Sequence, residues 1–213
     1  PIDLLDDLAS PTLPPDTGDG CGSLPDIPDD ALIGTDLLVD YDGGGVADDR
    51  LVSYFDGTWK LRAEVSGFAD EIELPDAGVH GVRVLGLANV GQIMGGDEII
   101  AVVGGGASAV EIGVFAFHEL SCLIRYQHES GDDFGLLTGA GVMWGEGIIC
   151  EDGAIADWGY QREDDDTYTL WGAAYHEISP GVFGYLPASD DYVEGLSFDD
   201  LSTSLFDCDG MTI

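Results

Sequence analysis

Arg50-Leu51-Val52-Ser53-Tyr54-Phe55, then Asp56-Gly57-Thr58, then Trp59-Lys60-Leu61-Arg62-Ala63-Glu64-Val65, is the stretch on which the fold turns. Two runs rich in β-branched and aromatic residues flank an Asp-Gly cluster, the composition of two strands joined by a turn. The same grammar extends along the chain. It predicts strands near 70–74 and 82–88, then near 98–103, 110–117, 120–126 and 142–150, then near 154–160, 167–176 and 181–186. Gly and Asp clusters separate these runs, and the 32 glycines suit tight turns and close backbone packing. Helical periodicity is nearly absent. Only residues 196–205, with Ser and Asp near their start, read as a short helical turn. The chain therefore reads as all-β.

The runs recur in three sets about 55 residues apart, and self-similarity at such a period marks repeat architectures. Each set opens on a polar loop: residues 40–49, residues 89–97 and Glu151-Asp152-Gly153. Four strands per unit at a fixed period predicts a β-propeller-like fold of three to four blades, each a four-stranded antiparallel sheet. Three units fall short of the usual ring. A further blade from both termini, an open sheet, or two chains completing one ring would each resolve this.

Residues 1–30 read as an irregular arm before a domain at 31–213. Pro11, Pro14, Pro15, Pro25 and Pro28 lie there among Asp and Gly and resist regular structure. The first eight residues differ: Ile2, Leu4, Leu5 and Leu8 are interspersed with Asp3, Asp6 and Asp7. They suit a short amphipathic turn or strand that docks on this domain or on a neighbouring molecule. The chain opens without Met, basic region or apolar run, which reads as a processed or trimmed product.

Charge narrows the partners. Against 42 acidic residues stand six basic ones, giving a net charge of -36. Nucleic acid and anionic lipid are disfavoured, since phosphate binding needs clustered Lys and Arg. No apolar run is long enough for a helical membrane span. The acidity fits a solvated, salt-adapted surface or distributed cation binding.

The four cysteines are Cys21, Cys122, Cys150 and Cys208. None makes a C-x-x-C pair or has a His at zinc-finger spacing. Two disulfides and an oxidising, extracellular compartment are expected. Three connectivities are possible. A hairpin turning near residue 136 would favour Cys122–Cys150, leaving Cys21–Cys208 to tie the ends.

Asp40-x-Asp42-Gly43-x-Gly45-x-x-Asp48, followed by an apolar strand and Gly57-Thr58-Trp59, resembles the FG-GAP/VCBS-type repeat of integrin-α-like propellers and of small secreted bacterial proteins. The likeness spans about residues 36–186 and is specific in the first loop. It implies calcium as cofactor and a role in adhesion or ligand binding. Gly44 stands where the pattern has an acidic ligand. The chemistry of the loop agrees: Asp40, Asp42 and Asp48 offer carboxylates, Val46 a carbonyl, and Gly45 the sharp turn that calcium's oxygen-rich shell requires.

No H-E-x-x-H and no G-x-S-x-G occurs. His118, His128 and His176 are each followed by Glu at expected strand ends, where polar residues mark turns; convergence on a transition metal is the sharper alternative. Trp59, Trp144, Trp158 and Trp171 suit core packing or a sugar-binding face. The reading is a non-catalytic extracellular binding or assembly module, calcium-stabilised and self-associating through its arm. Its partners are itself, another extracellular protein or a glycan. The rival is a secreted polysaccharide hydrolase using paired carboxylates.

Overall fold

The computed structural model describes residues 21–93, 96–118, 122–140, 143–151, 153–163, 167–186, 192–197, 206–208 and 210–211. Four strands come first: Leu32–Val39 (β1), Asp49–Phe55 (β2), Trp59–Val65 (β3) and Phe68–Glu73 (β4). They pair in chain order, all antiparallel, as one sheet. A 3-10 stretch at Pro75–His80 leads to a twelve-stranded sheet. Its strands are Arg83–Ala88 (β5), Glu98–Gly105 (β6), Ala109–His118 (β7), Cys122–Arg125 (β8), Gln127–His128 (β9) and Gly135–Ala140 (β10). Trp144–Glu151 (β11), Ala154–Arg162 (β12), Tyr168–Ser179 (β13), Val182–Leu186 (β14), Tyr192–Leu196 (β15) and Phe206–Asp207 (β16) complete it. The spatial order is β5-β6-β7-β10-β11-β12-β13-β14-β9, with β8 also on β7, β15 on β13 and β16 on β11.

Two hydrophobic cores share β6 as a wall. Its apolar run is unbroken because both faces are covered, where a half-exposed strand would alternate. Ile99, Ala101 and Val103 face one core with Leu51, Leu61 and Phe115; Ile100 and Val102 face a second core with Ile112, Ile148, Ile155 and Phe183. Leu51 and Leu61 are fully buried. Each contributes about 1.5–3 kcal/mol of transfer free energy.

Glycines and aromatics interlock across β11, β12 and β13. The register sets Gly145 opposite Tyr160, Gly147 opposite Trp158 and Gly159 opposite Trp171. In each pair the ring lies over the facing glycine and leaves no room for a Cβ. The ring covers backbone that a glycine alone would leave bare, and the glycine lets the ring lie flat on the sheet.

The all-β reading holds, with two corrections. The first expected unit does not close as drawn: its runs at 50–55, 59–65 and 70–74 pair as β2, β3 and β4, but the fourth strand of that sheet is β1, which the pattern does not single out, and the run at 82–88 is β5 of the large sheet. The later strands do not separate into further four-stranded units. The physical cause is β10: it pairs with β7 through residues 135–139 and with β11 through Gly139 and Ala140, fusing the strands on either side of it into one sheet.

The same strand overturns the expected disulfides. Residue 136 lies inside β10, not in a hairpin turn, so β10 stands between β7 and β11. The bonds are Cys21–Cys122 and Cys150–Cys208, not Cys122–Cys150 and Cys21–Cys208. Cys122 opens β8 near the start of β4, where Gly22 bridges Ala69; the Cα atoms of Cys21 and Cys122 are 5.3 Å apart. Cys208 comes directly after β16, which runs parallel to β11 at Ile148 and Ile149, the two residues before Cys150. Residues 21–30 are also stitched down, since the buried Arg62 guanidinium donates to the Pro25 carbonyl at 2.6 Å. Ile2, Leu4, Leu5 and Leu8 lie outside the described residues, as does 198–205 of the expected helical turn; Leu196 ends β15.

Candidate functional site

The Asp-rich loop between β1 and β2 is built around a residue that the motif does not include. Asp49 is buried, and its Oδ2 accepts the amide N–H groups of Tyr41 (2.9 Å) and Asp42 (3.1 Å). Its Oδ1 accepts the Ser66 amide at 2.9 Å, reaching the β3–β4 turn. Three N–H bonds to one carboxylate satisfy donors that burial would otherwise strand. Tyr41 points into the fold. Its hydroxyl accepts the Phe117 amide at 2.7 Å, tying the loop to β7, and burial is the main reason its pKa is pushed up to about 12.

The expected ligands are arranged differently from a calcium shell. The Asp40 carboxylate accepts the Gly45 amide at 2.8 Å. Asp42 accepts the Gly44 amide at 2.8 Å and the Ser66 hydroxyl at 2.7 Å. Those two bonds, Ser66's first, hold the Asp42 pKa below its ordinary value. Val46 is exposed, and its carbonyl accepts the Asp48 amide at 3.0 Å. Among the described residues no three His, Cys, Asp or Glu side chains converge to hold a metal ion. The loop is thus organised by its own amides, with one carboxylate oxygen, Asp40 Oδ1, buried and without a hydrogen-bond partner.

Among the described residues the histidines join no group of three or more metal-ligating side chains. His80 is exposed at the end of the 3-10 stretch, and His128 packs on Phe134 at 4.7 Å between ring centroids. His176 lies on β13.

Among the described residues the buried carboxylates are Asp49, Glu98 and Glu177. Glu98 and Glu177 flank the Tyr126 hydroxyl, at 3.1 and 3.2 Å. Their other oxygens are taken by backbone amides of residues 90–93. Nothing in the sequence marks this pair, since Glu98 follows Asp97 and Glu177 follows His176.

An apolar trough of about 460 Å³ lies on β11–β13, lined by Ile149, Ala156, Trp158, Leu170, Gly172 and Ala174. Glu151 and Asp157 border it, but strand alternation sends them to opposite faces of the sheet. Asp157 sits on the face of Glu146, whose charge adds to burial in raising its pKa. These two carboxyls do not form an acid–base pair across a shared substrate.

Among the described residues β1 ends the four-stranded sheet and pairs with β2 on one side only. Leu32, Ile33 and Leu38 are exposed by 63%, 45% and 65%, and Phe55, opposite Leu32, by 40%. The strand carries no Lys and no Pro, the residues that usually blunt an edge. Its one charge, Asp36, is taken by a two-point ion pair with Arg50, both contacts at 2.8 Å. The chain matches no protein-family model, no curated protein and no solved structure.

Proposed function

We propose that this chain is a non-catalytic extracellular binding or assembly module that self-associates by adding residues 2–8 of one copy to the β1 edge of the next. The observation that carries the reading is the open, apolar β1 edge. An edge strand offers a row of backbone donors and acceptors, and an incoming extended segment satisfies them while its alternate side chains bury against the sheet. Ile2, Leu4, Leu5 and Leu8 supply such side chains. Twelve residues separate Leu8 from Cys21. At about 3.3 Å per residue they reach about 40 Å, enough to leave one body for another.

Asp3, Asp6 and Asp7 would approach an acidic surface, so association strengthens with salt, as screening removes the repulsion. Divalent cations, calcium included, serve the same end. The two disulfides are compatible with an extracellular location. The FG-GAP/VCBS resemblance enters this reading through the 40–49 loop and the sheet it opens.

The test is light scattering on three proteins in 0.1 M and 2 M NaCl: the full chain, a form lacking residues 1–20, and Leu38→Lys. Oligomers of the full chain that grow with salt and vanish in both variants support the reading. Monomers throughout, or equal assembly of the truncated form, overturn it.

A further inference from the structure

Tyr126 has one hydroxyl proton and two carboxyl neighbours. Its oxygen lies 3.1 Å from Glu98 Oε1 and 3.2 Å from Glu177 Oε1, and all three residues are buried. With both carboxyls ionised, the phenol could donate to only one; the other would set a charged oxygen against its lone pairs. One more proton is needed to complete the chain.

The amides show where that proton sits. Glu98 Oε2 accepts both the Val90 (2.9 Å) and Gly91 (2.8 Å) N–H groups, so Oε2 is the carbonyl-like oxygen and Oε1 is free to carry hydrogen. Glu177 has no such vacancy. Its Oε2 accepts Gln92 and Ile93, and its Oε1 accepts Gly181 at 3.1 Å. Glu177 is filled as an acceptor on both oxygens, which is the pattern of a carboxylate.

We infer that Glu98 is a neutral carboxylic acid in the folded protein, donating to Tyr126, which donates to ionised Glu177, and that this one buried proton latches the 89–93 loop to the body of the sheet. The loop is worth latching. Four consecutive amides, 90 to 93, end on the two glutamates, and the Asn89 carbonyl accepts the Gly153 amide at 2.9 Å in the β11–β12 turn. One proton therefore joins β6, β13, the β13–β14 turn and the β11–β12 turn.

The surroundings favour the neutral form. Tyr126 stacks on Phe183 at 4.5 Å, and Phe134 packs on Phe183 at 4.6 Å. The titratable groups about the latch are Glu177 and Tyr126 themselves, Tyr41 and Asp97 toward the first sheet, and His128 and Tyr175 beyond Phe134. Burial raises the Glu98 pKa above its ordinary value of 4.5, with the charge of Glu177 adding to it and the amides opposing. A carboxyl raised in the folded state stabilises the fold below its ordinary pKa, and that stability is lost as pH rises through the raised value. The latch is held at low pH and released at high pH.

The experiment is carbon-detected NMR of side-chain-labelled glutamate in the intact protein, titrated from pH 4 to pH 9. One carboxyl resonance should hold its protonated position after the others have ionised, and Glu98→Gln should remove it. Amide exchange at residues 90–93 should rise with pH beyond the intrinsic rate. Glu98→Gln mimics the neutral acid, with its carbonyl toward the amides and its NH2 toward Tyr126, and should flatten that rise. Glu177→Gln turns an NH2 onto amide donors and should unfold more readily. If every glutamate titrates in the ordinary range, or if Glu98→Gln loosens residues 90–93 as much as Glu177→Gln does, the assignment is wrong.

Discussion

Asp49 accepts the backbone N–H of Ser66 at 2.9 Å across seventeen positions of chain, so the first loop and the β3–β4 turn are one unit. Its partners at Tyr41 and Asp42 complete a three-amide socket. Asp49→Ala strands all three donors in a buried site. The expected loss is about 3 kcal/mol, at the upper end for one substitution. Guanidinium unfolding with the slope held fixed measures it, and a loss under about 1 kcal/mol would dismiss the socket.

Ser66 also donates its hydroxyl to Asp42, and that bond is the main cause of the lowered Asp42 pKa. Ser66→Ala should move the Asp42 titration up toward its ordinary value of 3.8, read by carboxyl NMR. The sign is fixed: a depressed carboxyl stabilises the fold above its ordinary pKa and loses that contribution as pH falls through the depressed value. Wild type and Ser66→Ala should therefore differ least in strong acid.

Glycine substitutions should split by what faces them. At Gly147 a methyl group meets the Trp158 ring, and overpacking of this kind costs about 1–3 kcal/mol. At Gly106 nothing lies within 4 Å, so Ala there should stay within about 0.5 kcal/mol of wild type. Thermal unfolding followed by tryptophan fluorescence compares the two. Equal effects would contradict the interlocked sheet.

Non-reducing peptide mapping should recover Cys21 with Cys122 and Cys150 with Cys208. The closed loops have sequence separations of 101 and 58. On the chain-entropy model they contribute about 4.7 and about 4.2 kcal/mol, so either double Cys→Ser variant should lose about the same stability.

Much of the fold was legible because strands carry their signal locally. The expected runs at 59–65 and 50–55 match β3 and β2 within one residue, and those at 98–103, 110–117 and 154–160 fall inside β6, β7 and β12. What failed was β1, which no expected run covered, and above all pairing, which is not local. Gly135-Leu136-Leu137-Thr138-Gly139-Ala140 is short and glycine-flanked, and it passed for a turn; as a strand it decides both the disulfides and the continuity of the large sheet. The loop was found but its centre was not. Asp49 stands one position past the motif, and only the return of Ser66 to it in space shows its role. Glu98 and Glu177 are 79 residues apart, and no spacing rule joins them.

The disulfides also fix how the chain would carry a mechanical load. Tension arriving through residues 1–20 crosses from Cys21 to Cys122 along a covalent bond, and from Cys150 to Cys208 along another. Everything between each pair hangs in a closed loop that the pull bypasses. The four-stranded sheet, β5 to β7 and β12 to β16 are shielded, and the load falls on residues 123–149 between the loops. A tethered copy would stretch by little more than that segment before its covalent skeleton was taut.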